Sequence, residues 1–293
     1  MGKVDILLPI YNSYDETKNC IESVLKYTKE GTFNLYLLDD KSPDDRIPKM
    51  TKEYSEKYSF VTVVRNEQNL GFPGNVNNGF AISKRDVVVL NSDTLVSPLW
   101  LEILNKTAYS SESIAALTPM SNYGIISGVP TPNSQINALF TYEEILAAFN
   151  KSKRSGYVET PLIIGFCMYI KRSALEQVGI FDAKTFKRGY GEESDWCMRA
   201  AQKGLKLVVA QEAYVHHIGG VSFGSEKGEL QRQSKRILLE RYPWIDEELE
   251  SYVEENHFKG IRRAIMKDLG FLKKSAPLSL KIKMIKHYMI NKF

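Results

Sequence analysis

Apolar residues in the first 120 positions fall in short continuous runs, at 4–8, 35–38, 61–64, 87–90 and 114–117. Between them lie amphipathic segments near 15–27, 44–58, 74–83 and 98–110, with apolar positions at helical spacing. Runs too short for helices and bounded by turn-forming residues read as strands, so the alternation predicts βαβ units. Strands apolar on both faces suit a mostly parallel sheet flanked by helices, an α/β fold. Ligands of such sheets bind beyond the carboxyl ends of the strands. Those ends read Pro9-Ile10-Tyr11-Asn12, Asp39-Asp40-Lys41-Ser42, Arg65-Asn66 and Asn91-Ser92-Asp93, and the site is expected there.

The pattern loosens over 120–160. There Ser121-Asn122-Tyr123-Gly124 and Pro130-Thr131-Pro132-Asn133 precede a short helix near 141–149. A loop region of that length in a compact domain is usually functional or mobile. A second apolar run, 162–170, leads through Lys171-Arg172-Ser173 into a helix ending near Gly179. From about 226 the chain reads as helical, interrupted at Pro243, Gly260, Gly270 and Pro277. The expected organisation is a catalytic domain over 1–225 and a helical, basic C-terminal extension over 226–293.

With 293 residues, 43% hydrophobic and 25% charged, the chain is long enough for one large domain and an appendage. Cys20, Cys167 and Cys197 show neither metal-ligand spacing nor a disulfide framework, which fits packing roles and a reducing cytoplasm. The N-terminal apolar run lacks a basic lead and is too short for a signal peptide or a membrane span. Position 6 is not Ser or Thr, so the myristoylation pattern also fails.

The net charge of +4 conceals an asymmetry. Residues 259–293 hold ten Lys and Arg against Asp268 alone, a local +9 that leaves the rest near −5. Within this tail Leu278, Ile282, Ile285 and Met289 recur at helical spacing with Tyr288 and Phe293, among Lys281, Lys283, Lys286 and Lys292. A basic amphipathic helix of this kind lies on an anionic membrane surface, or packs on protein with its lysines in water. Periodicity does not separate the two, so 271–293 is expected to make either a peripheral membrane contact or an oligomer or domain contact. Nucleic-acid binding is not expected, because the positive charge is confined to the tail and no aromatic–basic reading module is present.

The densest chemistry is Tyr190-Gly191-Glu192-Glu193-Ser194-Asp195-Trp196, followed by His216-His217. Carboxylates and histidines together supply a general base and a divalent-metal site, although acidic residues also favour the first turn of any helix. At the strand ends, Asp39 and Asp40 can accept hydrogen bonds from a base imide or a ribose, or cap the helix that follows. Asp93 can bind a hard cation that bridges phosphates. The Gly71-Phe72-Pro73-Gly74 turn, with Asn75, Asn77 and Asn78 after it, opens a helix whose amides would lie near a nucleotide.

In this order Pro9-Ile10-Tyr11-Asn12, Asp39-Asp40-Lys41-Ser42, Asn66-x-x-Asn69-Leu70-Gly71-Phe72, Asn91-Ser92-Asp93, Gly191-Glu192-Glu193-Ser194-Asp195 and His216-His217 resemble the family 2, GT-A fold, inverting glycosyltransferases, over roughly residues 3–225. The resemblance implies a GT-A Rossmann-like mixed, mostly parallel sheet. It places Pro9, Tyr11, Asn12, Asp39, Asp40, Asn66, Gly71, Asn77 and Ser92 at the donor nucleotide, with Asp39 on a uracil or thymine base and Asp40 supporting it. Asn91 stands where the family's D-x-D motif commonly has an aspartate, while Asp93 keeps the metal-contacting position, with His217 or His216 as the late histidine. The family's base is commonly the Asp of a Glu-Asp pair. Glu193 occupies that position after Glu192, one methylene longer, and Asp195 and Trp196 would lie on the acceptor side. Arg199, near the opposite side of that helix, reads as structural or as a partner of Asp195.

The implied reaction moves a sugar from a nucleoside diphosphate donor, UDP in preference to dTDP, to a hydroxyl of a glycan, glycolipid or glycoprotein. Mn²⁺ or Mg²⁺ would be needed, and the expected place is the cytoplasm, with a peripheral position on the inner face of the cell membrane suiting a lipid-linked acceptor as in bacterial surface-glycan assembly. A nucleotidyltransferase would need a glycine-rich loop after the first strand, and Pro9-Ile10-Tyr11-Asn12-Ser13-Tyr14 contains no glycine. A non-catalytic nucleotide-sugar-binding or scaffold protein would be expected to lose the acidic cluster or the histidines.

Overall fold

The computed structural model describes residues 2–219 and 227–292. Strands β1 (Val4–Ile10), β2 (Phe33–Asp39), β3 (Val61–Arg65) and β4 (Val87–Leu90) are parallel, joined by helices α1 (Tyr14–Tyr27), α2 (Arg46–Lys57) and α3 (Gly71–Ile82). After them come β5 (Thr94–Val96), α4 (Trp100–Ala108), β6 (Ile114–Met120), α5 (Ser134–Asn137), α6 (Tyr142–Lys151), β7 (Tyr157–Glu159), β8 (Cys167–Ile170), α7 (Arg172–Val178), α8 (Glu192–Gln202) and β9 (Lys206–His217). Among the described residues the strands form one sheet in the order β3-β2-β1-β4-β8-β6-β9-β5, with β7 also on β9. The expected α/β architecture is therefore present, with β2, β1 and β4 adjacent and their carboxyl ends on one side.

The strands are mostly apolar because the sheet has a core on each face, and buried Asp5 of β1 is met by Asn34 and Ser83. Val4, Ile6, Leu8 and Ile10 of β1 enter one cluster with Val88 and Leu90 of β4. Leu7 enters the other with Val87 and Val89, following the two-residue alternation of strand side chains. The three cysteines are buried and free, as packing residues would be. Strand direction is not encoded in such runs. The 162–170 run yields only β8, which is antiparallel to both β4 and β6. β9 runs parallel to β6 and antiparallel to β5, with an irregularity where register jumps between Pro119 and Met120. That bulge lets one 12-residue strand serve the sheet and then deliver His217 opposite Thr94.

The 120–160 insertion is pinned. Asn137, fully buried, donates to the carbonyls of Asn122 and Thr131 and accepts from the Thr131 amide and hydroxyl. α6 opens with a capping box between Thr141 and Glu144.

The tail comprises α9 (Lys227–Arg241), α10 (Ile245–Glu255), α11 (Lys259–Asp268), a 3-10 turn at Phe271–Lys273 and α12 (Leu278–Lys292). The proposed boundary at 225/226 and Phe293 lie outside the described residues. Pro243 and Gly270 separate helices as expected, and Pro277 precedes the last. Gly260 does not: it lies inside α11, and the chain breaks instead at Asn256, in the left-handed region at φ 48°. A glycine costs a helix only about 1 kcal/mol, less than the burial of Ile261 and Ile265 returns. Phe258, Ile265, Met266, Phe271 and Met284 share a cluster with Trp196, Tyr214 and Met168, so the tail helices complete the core on that face. Buried Arg262 fastens α11 to the insertion by donating to the Gly128 carbonyl.

Candidate active site

At the end of β4 the chain turns through Asn91 and Ser92 to Asp93, whose carbonyl accepts from the Ile218 amide. Asp93 Oδ1 lies 3.2 Å from His217 Nε2. The imidazole is stacked on Phe166 and meets Tyr123 edge-on. Both ends of the Asn122 amide hold the His217 backbone, Oδ1 accepting from its N–H at 2.7 Å and Nδ2 donating to its carbonyl at 3.0 Å. Burial pushes the Asp93 carboxyl up, but the hydrogen bond and charge of His217 outweigh it and hold the group below the usual range. The two histidines therefore separate. His216, on the opposite face of the strand, bonds the Tyr214 hydroxyl and packs on Tyr142, and burial lowers it to about 4. His216 does not join Asp93.

A left-handed run at Gly189, Tyr190 and Gly191 swings the chain into α8. Glu193 is partly exposed in the first turn, its carboxylate accepting from the Gly191 amide, and a Cβ at Gly165 would touch its side chain. Glu192 is buried and shares a hydrogen bond with Glu193. Burial raises both carboxyls, and the charge of Glu193 raises Glu192 further, well above the ordinary range. Of the pair, Glu192 has the more strongly raised proton affinity. At the same helix start, burial raises the Tyr190 hydroxyl to about 12, with smaller contributions from the charges of Tyr123, Glu192, Glu193 and Asp93.

Two expected acceptor-side residues face elsewhere. Trp196 is fully buried, its indole N–H bonded to the Gly179 carbonyl. Asp195, almost fully buried, accepts from Arg199, Arg241 and the Tyr242 hydroxyl, tying α8 to α9. On a helix three residues per turn cannot all face one cleft, and 195 and 196 point inward.

At the β2 end, Asp39 is buried and accepts from the Ser42 amide and the Arg65 guanidinium. Asp40 accepts from the Leu70 amide and from Asn66, and burial pushes its carboxyl up. Asn66 also donates to Asn75 and accepts from Asn78, so its amide is taken up in a lock joining β2, β3 and α3 rather than free for a nucleotide. Asn77 likewise bonds both the N–H and the carbonyl of Phe181, fixing α3 to the loop before α8. Pro9 is buried in β1, Tyr11 is exposed, and the Asn12 amide donates to the Ser42 hydroxyl. Ser92 lies partly exposed between Asn91 and Asp93.

Gly71 has φ 73°, and an added Cβ would meet the Lys187 carbonyl oxygen. Gly71→Ala is expected to lower stability by more than the ~1–2 kcal/mol of the left-handed conformation alone, read as a drop in urea midpoint at unchanged slope.

Asn12 Oδ1, Asn91 Oδ1, Glu192 Oε2 and His217 Nδ1 are buried without a hydrogen-bond partner among the described residues. Buried polar atoms of that kind are rare in folded proteins and commonly await a ligand or water. Sequence reasoning missed Arg65 and Asn122. Arg65 immediately precedes Asn66 and pairs in register with Asp39 across β2 and β3, and its place at a strand end was the available signal. Asn122 carries no local signal, because its partner is 95 residues away.

Over 97 residues the chain is 30% identical to the poly(ribitol-phosphate) beta-glucosyltransferase of Bacillus spizizenii, covering 32% of this chain and 15% of that protein. An uncharacterized protein of Mycobacterium bovis is 26% identical over 157 residues, 52% of this chain and 55% of the relative. The chain thus spans about half or less of the length of these relatives. Its fold matches a crystal structure of GalNAc-T7 with UDP, GalNAc and Mn²⁺ (TM-score 0.63, 15% identity, 88% of this chain and 58% of that one). It also matches the Pyrobaculum calidifontis mannosyltransferase PcManGT in complex with GDP-Man and Mn²⁺ (TM-score 0.62, 15% identity, 99% and 81%). The sequence pattern of the family described as Glycosyl transferase family 2 matches residues 5–179, more than half of the chain, and the protein belongs to that family of glycosyltransferases.

Proposed function

We propose that this glycosyltransferase moves a sugar from a pyrimidine nucleoside diphosphate, UDP before dTDP, to a hydroxyl of a glycan, glycolipid or glycoprotein, inverting the anomeric centre. The observation that carries the reading is the pairing of Asp93 with His217 at the end of β4, together with the partly exposed Glu193 at the start of α8. Glu193 would take the proton of the acceptor hydroxyl as that oxygen attacks the anomeric carbon and the diphosphate leaves. Its raised proton affinity suits a base working near neutral pH.

The oxygen and nitrogen donors of Asp93 and His217 fit a divalent cation such as Mn²⁺ or Mg²⁺. Among the described residues no group of three or more His, Cys, Asp or Glu forms a closed metal site, which fits an ion whose other ligands are phosphate oxygens and water. Such an ion supplies charge stabilisation for the leaving diphosphate. On the base side, the Asp39 carboxylate, now accepting from Ser42 and Arg65, would accept an imide N–H as the ring entered beside it, and partly exposed Arg65 would offer donors to a ring carbonyl. The relative that acts on poly(ribitol-phosphate) supports a bacterial surface-glycan acceptor.

A donor-hydrolysis panel tests the base reading. UDP- or dTDP-sugars are expected to turn over well above GDP- and CMP-sugars, and Asp39→Ala should raise KM for the favoured donor. Equal rates across the panel would remove Asp39 from base recognition.

A further inference from the structure

The last helix, α12, is apolar on two sides. Met284, 1% exposed, turns inward with Leu280 and Tyr288 to join the core cluster. Leu278, Ile282, Ile285 and Met289 point outward, 75%, 61%, 54% and 46% exposed. At 100° per residue these four fall within about 60° of arc, roughly opposite Met284. Lys281 borders that arc on one side and Lys286, then Lys283, on the other, all exposed. The helix therefore already has its protein contact, and the outward stripe is left over from it. Leu272, half-exposed in the preceding 3-10 turn, adds to the apolar surface of this tail.

We propose that this face docks on an anionic lipid bilayer, the four apolar side chains entering the headgroup boundary and the lysines meeting the lipid phosphates. Three observations select lipid over a second protein. The stripe is continuous along the helix, and Ile290, 50% exposed, extends the apolar surface past Lys286, as for a helix lying in an interface. The lysines flank it on both sides, where long aliphatic stems reach past apolar neighbours to headgroups. The tail carries +9 over 259–293, the complement of a negatively charged leaflet. Among the described residues no helix is long and apolar enough to cross a membrane, so the contact is peripheral. It stands independently of the donor and acceptor readings.

Full-length protein should sediment with vesicles of equal parts phosphatidylglycerol and phosphatidylcholine, and not with phosphatidylcholine alone. Binding should fall as salt rises from 0.01 M to 1 M, where the Debye length shrinks from about 30 Å to about 3 Å. Ile282→Asp with Ile285→Asp should abolish binding. Lys281→Gln, Lys283→Gln and Lys286→Gln together should weaken it on the order of 100-fold, at about fivefold per charge. All five positions are exposed, so both variants should keep wild-type circular dichroism and melting temperature. Truncation at 271 would be a poorer test, because it strips Phe271 and Met284 from the core. Failure to bind anionic vesicles at low salt overturns the proposal. So does undiminished binding by the Ile282→Asp, Ile285→Asp variant, or a dimer in analytical ultracentrifugation that the same pair dissociates while vesicles are ignored.

Discussion

Replacing Glu193 with Gln is expected to lower turnover by about 10²–10⁴-fold while leaving donor binding unchanged, the range for loss of a general base touching its proton. Gln keeps the side-chain shape beside Gly165 and can still accept from the Gly191 amide, so the loss reports basicity and not folding. Glu192→Gln should behave differently. Glu192 is the buried member with the more strongly raised proton affinity, it shares a hydrogen bond with Glu193, and an amide N–H can stand in as donor. Its activity should stay within about tenfold of wild type, since the proton-accepting group is intact. A dead Glu192→Gln beside an active Glu193→Gln would reverse the two roles.

The same pair predicts pH dependence. A carboxyl whose proton affinity is raised in the folded state contributes stability that is fully present below its unfolded pKa, about 4.3 for glutamate. That contribution is lost as pH rises through the folded value. Glu192→Gln removes the penalty, so its melting temperature should gain on wild type as pH climbs from 4 towards 8. A constant difference across that range would contradict a protonated Glu192. The acid limb of kcat should also lie above the ordinary carboxylate range, because burial raises Glu193.

The runs that became β1, β2, β3, β4 and β6 were legible because strands in a sheet covered on both faces are mostly apolar, with few polar positions such as Asp5 and Thr62, and this gave the site its place. The ends of β2 and β4, with Asp39 and Asp93, follow directly from that rule. Partner choice among adjacent polar residues was not legible. Asp39 and Asp40 are neighbours, yet one bonds Arg65 and the other a lock of asparagines, because successive strand residues face opposite ways. The same alternation separated His217 from His216. Asp195 and Trp196 read as part of an acidic cluster, but helix geometry turned them to the core, where the partners of Asp195, Arg241 and Tyr242, lie 46 and 47 residues on. The tail stripe was visible as a period. Which of its two apolar sides met protein depended on where α11 and the 3-10 turn put their own side chains, and no local pattern records that.

Asp93→Ala is expected to lower transfer on the order of 10³-fold or more, and to remove Mn²⁺ binding in calorimetry without donor. A bound cation supplies several kcal/mol to a leaving diphosphate, and each 1.36 kcal/mol is tenfold in rate. Asp93 is held for such a role from three sides: by the turn after β4, by its bond to His217, and by the Asn122 clamp behind that histidine. Its carboxyl stays ionised despite burial, as an oxygen ligand must. His217→Ala should raise the Mn²⁺ concentration needed for half-maximal rate more than it raises donor KM. Asn122→Ala should follow His217→Ala more weakly, by the 10–100-fold typical of groups that orient a ligand. His216→Ala should leave the Mn²⁺ requirement alone, since its ring faces Tyr142 and Tyr214. Turnover that EDTA leaves unchanged, or Mn²⁺ titrating Asp93→Ala as it titrates wild type, would take the metal away from this pair.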